Sequence, residues 1–194
     1  MTTPRGTPRT TRMSRSGWSL AFALFAWSGA ALLLASNSAC ITSVDSAAIS
    51  PLALPDKDQY INGGVSAFME QRCGALDCHG QEGRPLRLYS INGLRMQDGP
   101  NGERDRTDTN LKEREANYFA TVGLEPEAIS SALLTKGAYT DFLLLKKPLG
   151  IEGNGVRHKG GPVLRSTDAG FECLITWISG QVEVQQCKDG LIPP

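Results

Sequence analysis

Seven residues of this chain can do chemistry that ordinary packing does not call for: five Cys and two His among 194 residues. Three of them stand together in Cys73-Gly74-Ala75-Leu76-Asp77-Cys78-His79-Gly80. A c-type haem is held by two thioethers to its vinyl groups, while a His ligates the iron. The His follows the second Cys directly, so the anchorage that pins the porphyrin edge also carries the imidazole beneath the iron. The usual spacer between the two Cys is two residues; here it is four, a longer loop that still presents both sulfurs. The same residues admit other readings. Neighbouring Cys oxidise readily in an exported protein, which would make Cys73 and Cys78 a local disulfide and His79 a bystander. Zinc would take Cys73, Cys78, His79 and His158 as one set, but adjacent Cys78 and His79 do not easily point at one ion.

A second axial ligand has few sources. Beyond the N-terminal leader the Met residues are Met69 and Met96, and the other His is His158. Met69 lies one helical turn before Cys73 on an apolar stripe, which assigns it to the core. Met96 follows His79 too closely to reach the opposite face of a bound ring. His158 sits far along the chain in Gly153-Asn154-Gly155-Val156-Arg157-His158-Lys159-Gly160-Gly161-Pro162. Small residues let such a loop approach a flat cofactor, so His158 is the candidate distal ligand; an ordinary exposed loop His is the alternative. Of the other Cys, Cys173 and Cys187 can pair around the end of the last helix.

Residues 1–39 read as an address. Arg5, Arg9, Arg12 and Arg15 precede an uncharged apolar run over 17–35, and small residues lead to Cys40. That is the order of a secretory signal. Asn37-Ser38-Ala39-Cys40 resembles a bacterial lipobox, in which Cys40 becomes the lipidated first residue; Asn37 departs from its usual aliphatic position. Met13 is an alternative start. The expected location is extracytoplasmic, facing the periplasm or cell surface, with the membrane reached through the N-terminal lipid. Residues 40–58 lack a period and contain two Pro, as a flexible tether would.

The elements that must position the motif are helical. Val65, Phe68, Met69 and Cys73 share a face over about Gly63–Arg72. Asn110 caps a helix to Val122 with a stripe of Leu111, Glu115, Tyr118, Phe119 and Val122. Pro126 opens a helix to about Lys136. Thr140 or Asp141 caps a short turn ended by Pro148, and a last helix runs over Asp168–Ser179. Residues 98–110 read as a polar loop, and Leu86–Tyr89 as a short strand. The fold class is all-α with long loops, over 59–194. Such a core is lean for its length, which calls for help from a cofactor or disulfides.

Lys+Arg and Asp+Glu are both 20, but the leader takes four Arg and no acid, leaving a body with net charge −4. Nothing there calls for nucleic acid. No Ser/His/Asp set and no second haem motif marks an enzyme.

Taken in order, these pieces resemble the small cytochrome c-like domains of bacterial exported lipoproteins. The matching stretches are Cys73…Cys78-His79-Gly80, Pro85–Ser90, Leu143–Leu149, His158-Lys159-Gly160-Gly161 and Leu174–Ile178. They span roughly residues 60–180. The resemblance implies a cytochrome c-like fold with one covalent haem c between the helix before Cys73 and the last helix. It implies thioethers at Cys73 and Cys78, His79 as proximal ligand, and an unidentified redox partner protein. Many relatives carry a Met where this chain offers His158, and two imidazoles lower the potential. Trp177 and Phe171 become candidates for packing beside the ring. The longer spacer also fits a member that keeps the fold without haem, as a disulfide-stapled structural or binding module.

Overall fold

Asp56 turns the chain into its first helix by accepting the Gln59 amide on its side-chain oxygen at 2.7 Å. The computed structural model describes residues 51–97 and 108–192. The leader, Cys40, the tether over 41–50 and the loop over 98–107 lie outside them. Helix α1 is Lys57–Asn62, α2 Val65–Cys73, α3 Leu111–Val122, α4 Pro126–Thr135, α5 Leu143–Leu149, α6 Ala169–Ile178 and α7 Val184–Asp189, with a 3₁₀ turn at Tyr139–Asp141. Among the described residues there is no strand, and the protein is all-α.

The centre is aromatic. Tyr60 of α1, Tyr118 of α3 and Trp177 of α6 meet with ring centres 5.0, 5.7 and 6.3 Å apart, tilted or edge to face as their quadrupoles favour. Phe68, Met69, Leu145, Leu174 and Ile178 close around them, and all are buried. The polar tips are used locally. Trp177 Nε1 donates to the Asp56 carbonyl at 2.9 Å, and the Tyr118 hydroxyl to the Pro55 carbonyl at 2.9 Å. Ala53 donates its amide to Ser130 Oγ. The end of the stretch read as a tether is therefore docked, and α1 begins inside it.

Other expectations shift for stated reasons. Thr140 and Asp141 form the 3₁₀ turn, and Phe142 occupies the N-cap of α5. Pro148 lies inside the last turn of α5, where its carbonyl accepts the Val163 and Leu164 amides. Leu86–Tyr89 makes only an isolated bridge, Tyr89 with Leu94. Helix α7 was not expected: six residues show no period, and a disulfide between Cys173 and Cys187 holds it against α6. The buried face of α3 is Glu113, Asn117, Tyr118, Thr121 and Val122, whereas Leu111 and Phe119 face out.

That polar face is satisfied rather than anomalous. Glu113 takes Arg95 in a two-pronged pair at 2.8 and 2.9 Å, and it also accepts the Met96 and Asn110 amides. Asn110 completes a reciprocal capping box with Glu113. Burial pushes the Glu113 carboxyl upward, but hydrogen bonds from Arg95, Met96 and Asn110 outweigh it and hold the group below its ordinary 4.5. A lowered folded value gives stability that is complete above pH 4.5 and is lost as pH falls through the folded value.

Two expected outcomes follow. Glu113→Gln removes the carboxylate charge from the buried pair with Arg95 and lowers the unfolding free energy by about 3 kcal/mol at neutral pH. The loss shrinks in acid, as read by denaturant titration at several pH values. Replacing Cys173 and Cys187 together by Ser, which opens a loop of sequence separation 14, costs about 3 kcal/mol in the same assay.

Candidate functional site

Helix α2 ends at Cys73, and the motif loop folds straight back beneath it. His79 donates its amide to the Cys73 carbonyl at 3.0 Å, and Cys78 and Gly80 both donate to Ala75. The loop is drawn tight enough that three glycines are required. A Cβ on Gly80 would stand 2.1 Å from the Gly74 carbonyl oxygen, and one on Gly93 would stand 2.0 Å from it. The same carbonyl accepts the Ser90 hydroxyl at 2.6 Å. Only bare backbone fits at this crossing.

The Leu86–Ser90 segment lies alongside. Leu88 donates its amide to the His79 carbonyl, and the His79 ring bonds back through Nδ1 to the Leu86 carbonyl, both at 2.9 Å. A carbonyl only accepts, so Nδ1 carries the proton and Nε2 the lone pair. Asn117 of α3, fully buried, grips this segment in turn. It accepts the Tyr89 amide at 2.7 Å and donates to the Tyr89 carbonyl at 2.9 Å.

His158 arrives from the other side of the sequence. The loop after α5 folds onto that helix: Val156 donates to Lys146, Gly155 to Gly150, and Val163 to Pro148. Gly161, at φ +79°, closes a turn by donating its amide to the His158 carbonyl. Its own carbonyl accepts from His158 Nδ1 at 2.9 Å. His158 is thus fixed in the same tautomer as His79. Arg72 joins the two halves by donating to the Val163 carbonyl at 3.4 Å.

The two imidazoles stand together, ring centres 5.9 Å apart and planes within 10° of parallel. The Leu86 and Gly161 carbonyls hold the rings in this arrangement. Burial first, then the nearby His158 and the positive fields of Arg84 and Lys147, hold His79 below its ordinary 6.5, against the Leu86 hydrogen bond. A neutral imidazole with a carbonyl on its far nitrogen is the form that binds metal.

Cys73 and Cys78 are half-buried free thiols. Burial, followed by the charge of Cys78, pushes Cys73 up to about 12. Cys78 is also raised, by burial first and then by Asp77. The residues that a haem of the c type would use are two unpaired thiols, the adjoining His79 imidazole and the His158 imidazole, its ring centre 5.9 Å from that of His79. They do not form a zinc cluster. Among the described residues no three His, Cys, Asp or Glu are placed to share one ion.

Met69 is core, as expected. Met96 is tied to α3 through its amide, and His158 is the residue brought beside His79. Trp177 and Phe171 are buried, with Trp177 inside the aromatic cluster and its N–H spent on Asp56. Cavities of about 350 and 490 Å³ flank Leu164, but neither is lined by His79, His158, Cys73 or Cys78. Asn117, Ser90 and Gly93 escaped the sequence reading. No family model, curated protein or solved structure matches this chain.

Asn117→Ala removes both bonds to Tyr89 and leaves that backbone unpaired. The expected cost is about 2 kcal/mol, accompanied by faster amide exchange at Tyr89 and Leu88, read by hydrogen-exchange mass spectrometry against thermal melts.

Proposed function

We propose that the protein is a lipid-anchored, extracytoplasmic carrier of one covalent haem c, with a cytochrome c-like fold, that passes single electrons to a partner protein. The observation that carries this reading is the parallel imidazole pair, each ring spending Nδ1 on a carbonyl and keeping Nε2 for a ligand. Cys73 and Cys78 supply the thioethers, His79 the proximal ligand and His158 the distal one. When bound, the haem supplies a one-electron couple, and two neutral imidazoles favour a lower potential than His with Met.

The chain's own part is to hold its ligands still. The Leu86 carbonyl orients His79, the Gly161 carbonyl orients His158, and Asn117 stiffens the segment behind His79. Rigid ligands keep reorganisation small when charge changes. His79 and His158 would both hold the iron, so electron carriage rather than catalysis is the role proposed. The lipid at Cys40 and the signal over 1–39 belong to this proposal as its means of reaching the membrane.

A second reading, a haem-free module of the same fold, has one observation in its favour. Tyr60, Tyr118 and Trp177 form a core that closes on itself. The free thiols of Cys73 and Cys78 do not support its local disulfide.

The deciding experiment is a pyridine haemochrome spectrum after acid–acetone extraction of protein made with active cytochrome maturation. A retained c-type α-band is expected; colourless protein of apo mass favours the module. In the haem-loaded protein, His158→Ala should turn a low-spin spectrum high-spin while haem stays attached. An unchanged spectrum removes His158 from the ligand set.

A further inference from the structure

We propose that the face where the chain reaches α1 rests on the bilayer, with Leu52, Phe119 and Leu134 set into the lipid headgroup boundary. The inference rests on the lipid at Cys40 proposed above and does not depend on the haem.

The segment before α1 is fastened to two helices. The Ala53 amide donates to Ser130 Oγ of α4 at 2.9 Å, and the Pro55 carbonyl accepts the Tyr118 hydroxyl of α3 at 2.9 Å. Leu54, between them in sequence, packs against the core, and Pro55 is buried. Beside each fastening stands a large apolar side chain that the core does not take. Leu52 precedes Ala53 and is 47% exposed. Leu134 lies one helical turn beyond Ser130 and is 74% exposed. The Phe119 ring, 59% exposed, meets Tyr118 edge to face with ring centres 5.2 Å apart.

The length of chain before this point selects the occupant. Residues 41–50 are ten residues, which span at most about 35 Å when fully extended. A domain of about 140 residues is itself roughly 35 Å across. With the lipid at Cys40 in the membrane, the face at Pro51 turns away from the bilayer only if those residues are drawn to their limit. The anchor also makes the contact intramolecular, so a few apolar side chains suffice where a free protein would need many. Charge is not what holds the face there. Lys57 and Glu115 neutralise each other at 2.8 Å, and the exposed Ala128, Ser131 and Thr135 of α4 are uncharged.

The test is hydroxyl-radical footprinting of the full chain, exported with its own leader and reconstituted into neutral phosphatidylcholine vesicles. Oxidation is read by mass spectrometry and corrected for the intrinsic reactivity of each residue type. Leu52, Phe119 and Leu134 should be protected about threefold or more relative to Ile151 and Ile192, which are 70% and 74% exposed and stand outside this face. Protection should persist at about 0.5 M salt, because the contact is apolar. Phe119→Ser with Leu134→Ser, both at the surface, should bring Leu52 to the level of Ile151 while the protein stays with the vesicles.

Equal protection at all five residues in vesicle-bound protein overturns this proposal and spares the anchor. Protection that disappears as the protein is diluted in lipid overturns it in favour of a second copy of the chain. A chain recovered without lipid on Cys40 overturns the anchor and this inference together.

Discussion

His79 is held from behind. Its Nδ1–H donates to the Leu86 carbonyl, and much of the molecule serves to keep that carbonyl in place. Leu86 belongs to a segment with no strand to join, so its backbone must find partners elsewhere. Leu88 finds the His79 carbonyl, Tyr89 finds the Asn117 side chain, and Ser90 finds Leu94 and, through its hydroxyl, Gly74. Asn117 is positioned by α3, α3 by its capping box, and the capping box by Arg95 through Glu113. The buried ion pair therefore acts at a distance from the imidazoles. It sets the start of α3, which sets the register of Asn117 against Tyr89.

Much of this was legible in the residues. Cys78 next to His79 drew attention to that ring, and scarcity singled out His158, the other His of the chain, which the fold brings beside it. Asn110 and Gly123 mark the ends of α3, because a side-chain oxygen and a missing Cβ act locally. The buried face of α3 was not legible. Leu111 and Phe119 carry the apolar stripe yet face out, while Glu113, Asn117 and Thr121 go in. Their burial depends on Arg95, Tyr89 and Tyr60, from segments distant in sequence, and periodicity does not register such partners. Helix α7 was hidden for another reason, since six residues make fewer than two turns and their stability comes from a cross-link.

The core explains why the two ends of the chain matter to the site. Helix α2, which carries Cys73, packs against α1, α6 and α7, and Gly64 at its start lies against Cys187. The Cys173–Cys187 link stiffens the platform from which the motif loop projects. Trp177 and Tyr118 fasten Asp56 and Pro55 and fix the entry to α1. Cross-link and aromatic cluster together compensate for helices too short to be stable alone.

The thiols set the order of events. A thiolate is the form that attacks, whether the target is a vinyl group or a disulfide. In the folded chain Cys73 is pushed up to about 12, by burial first and by Cys78 second, and Cys78 is raised as well. At neutral pH both are therefore protonated and slow to react. The burial that raises Cys73 accompanies the seating of α2 and the closure of the loop over Gly74 and Gly80, so the packing that holds this loop together also withdraws its thiols from reaction.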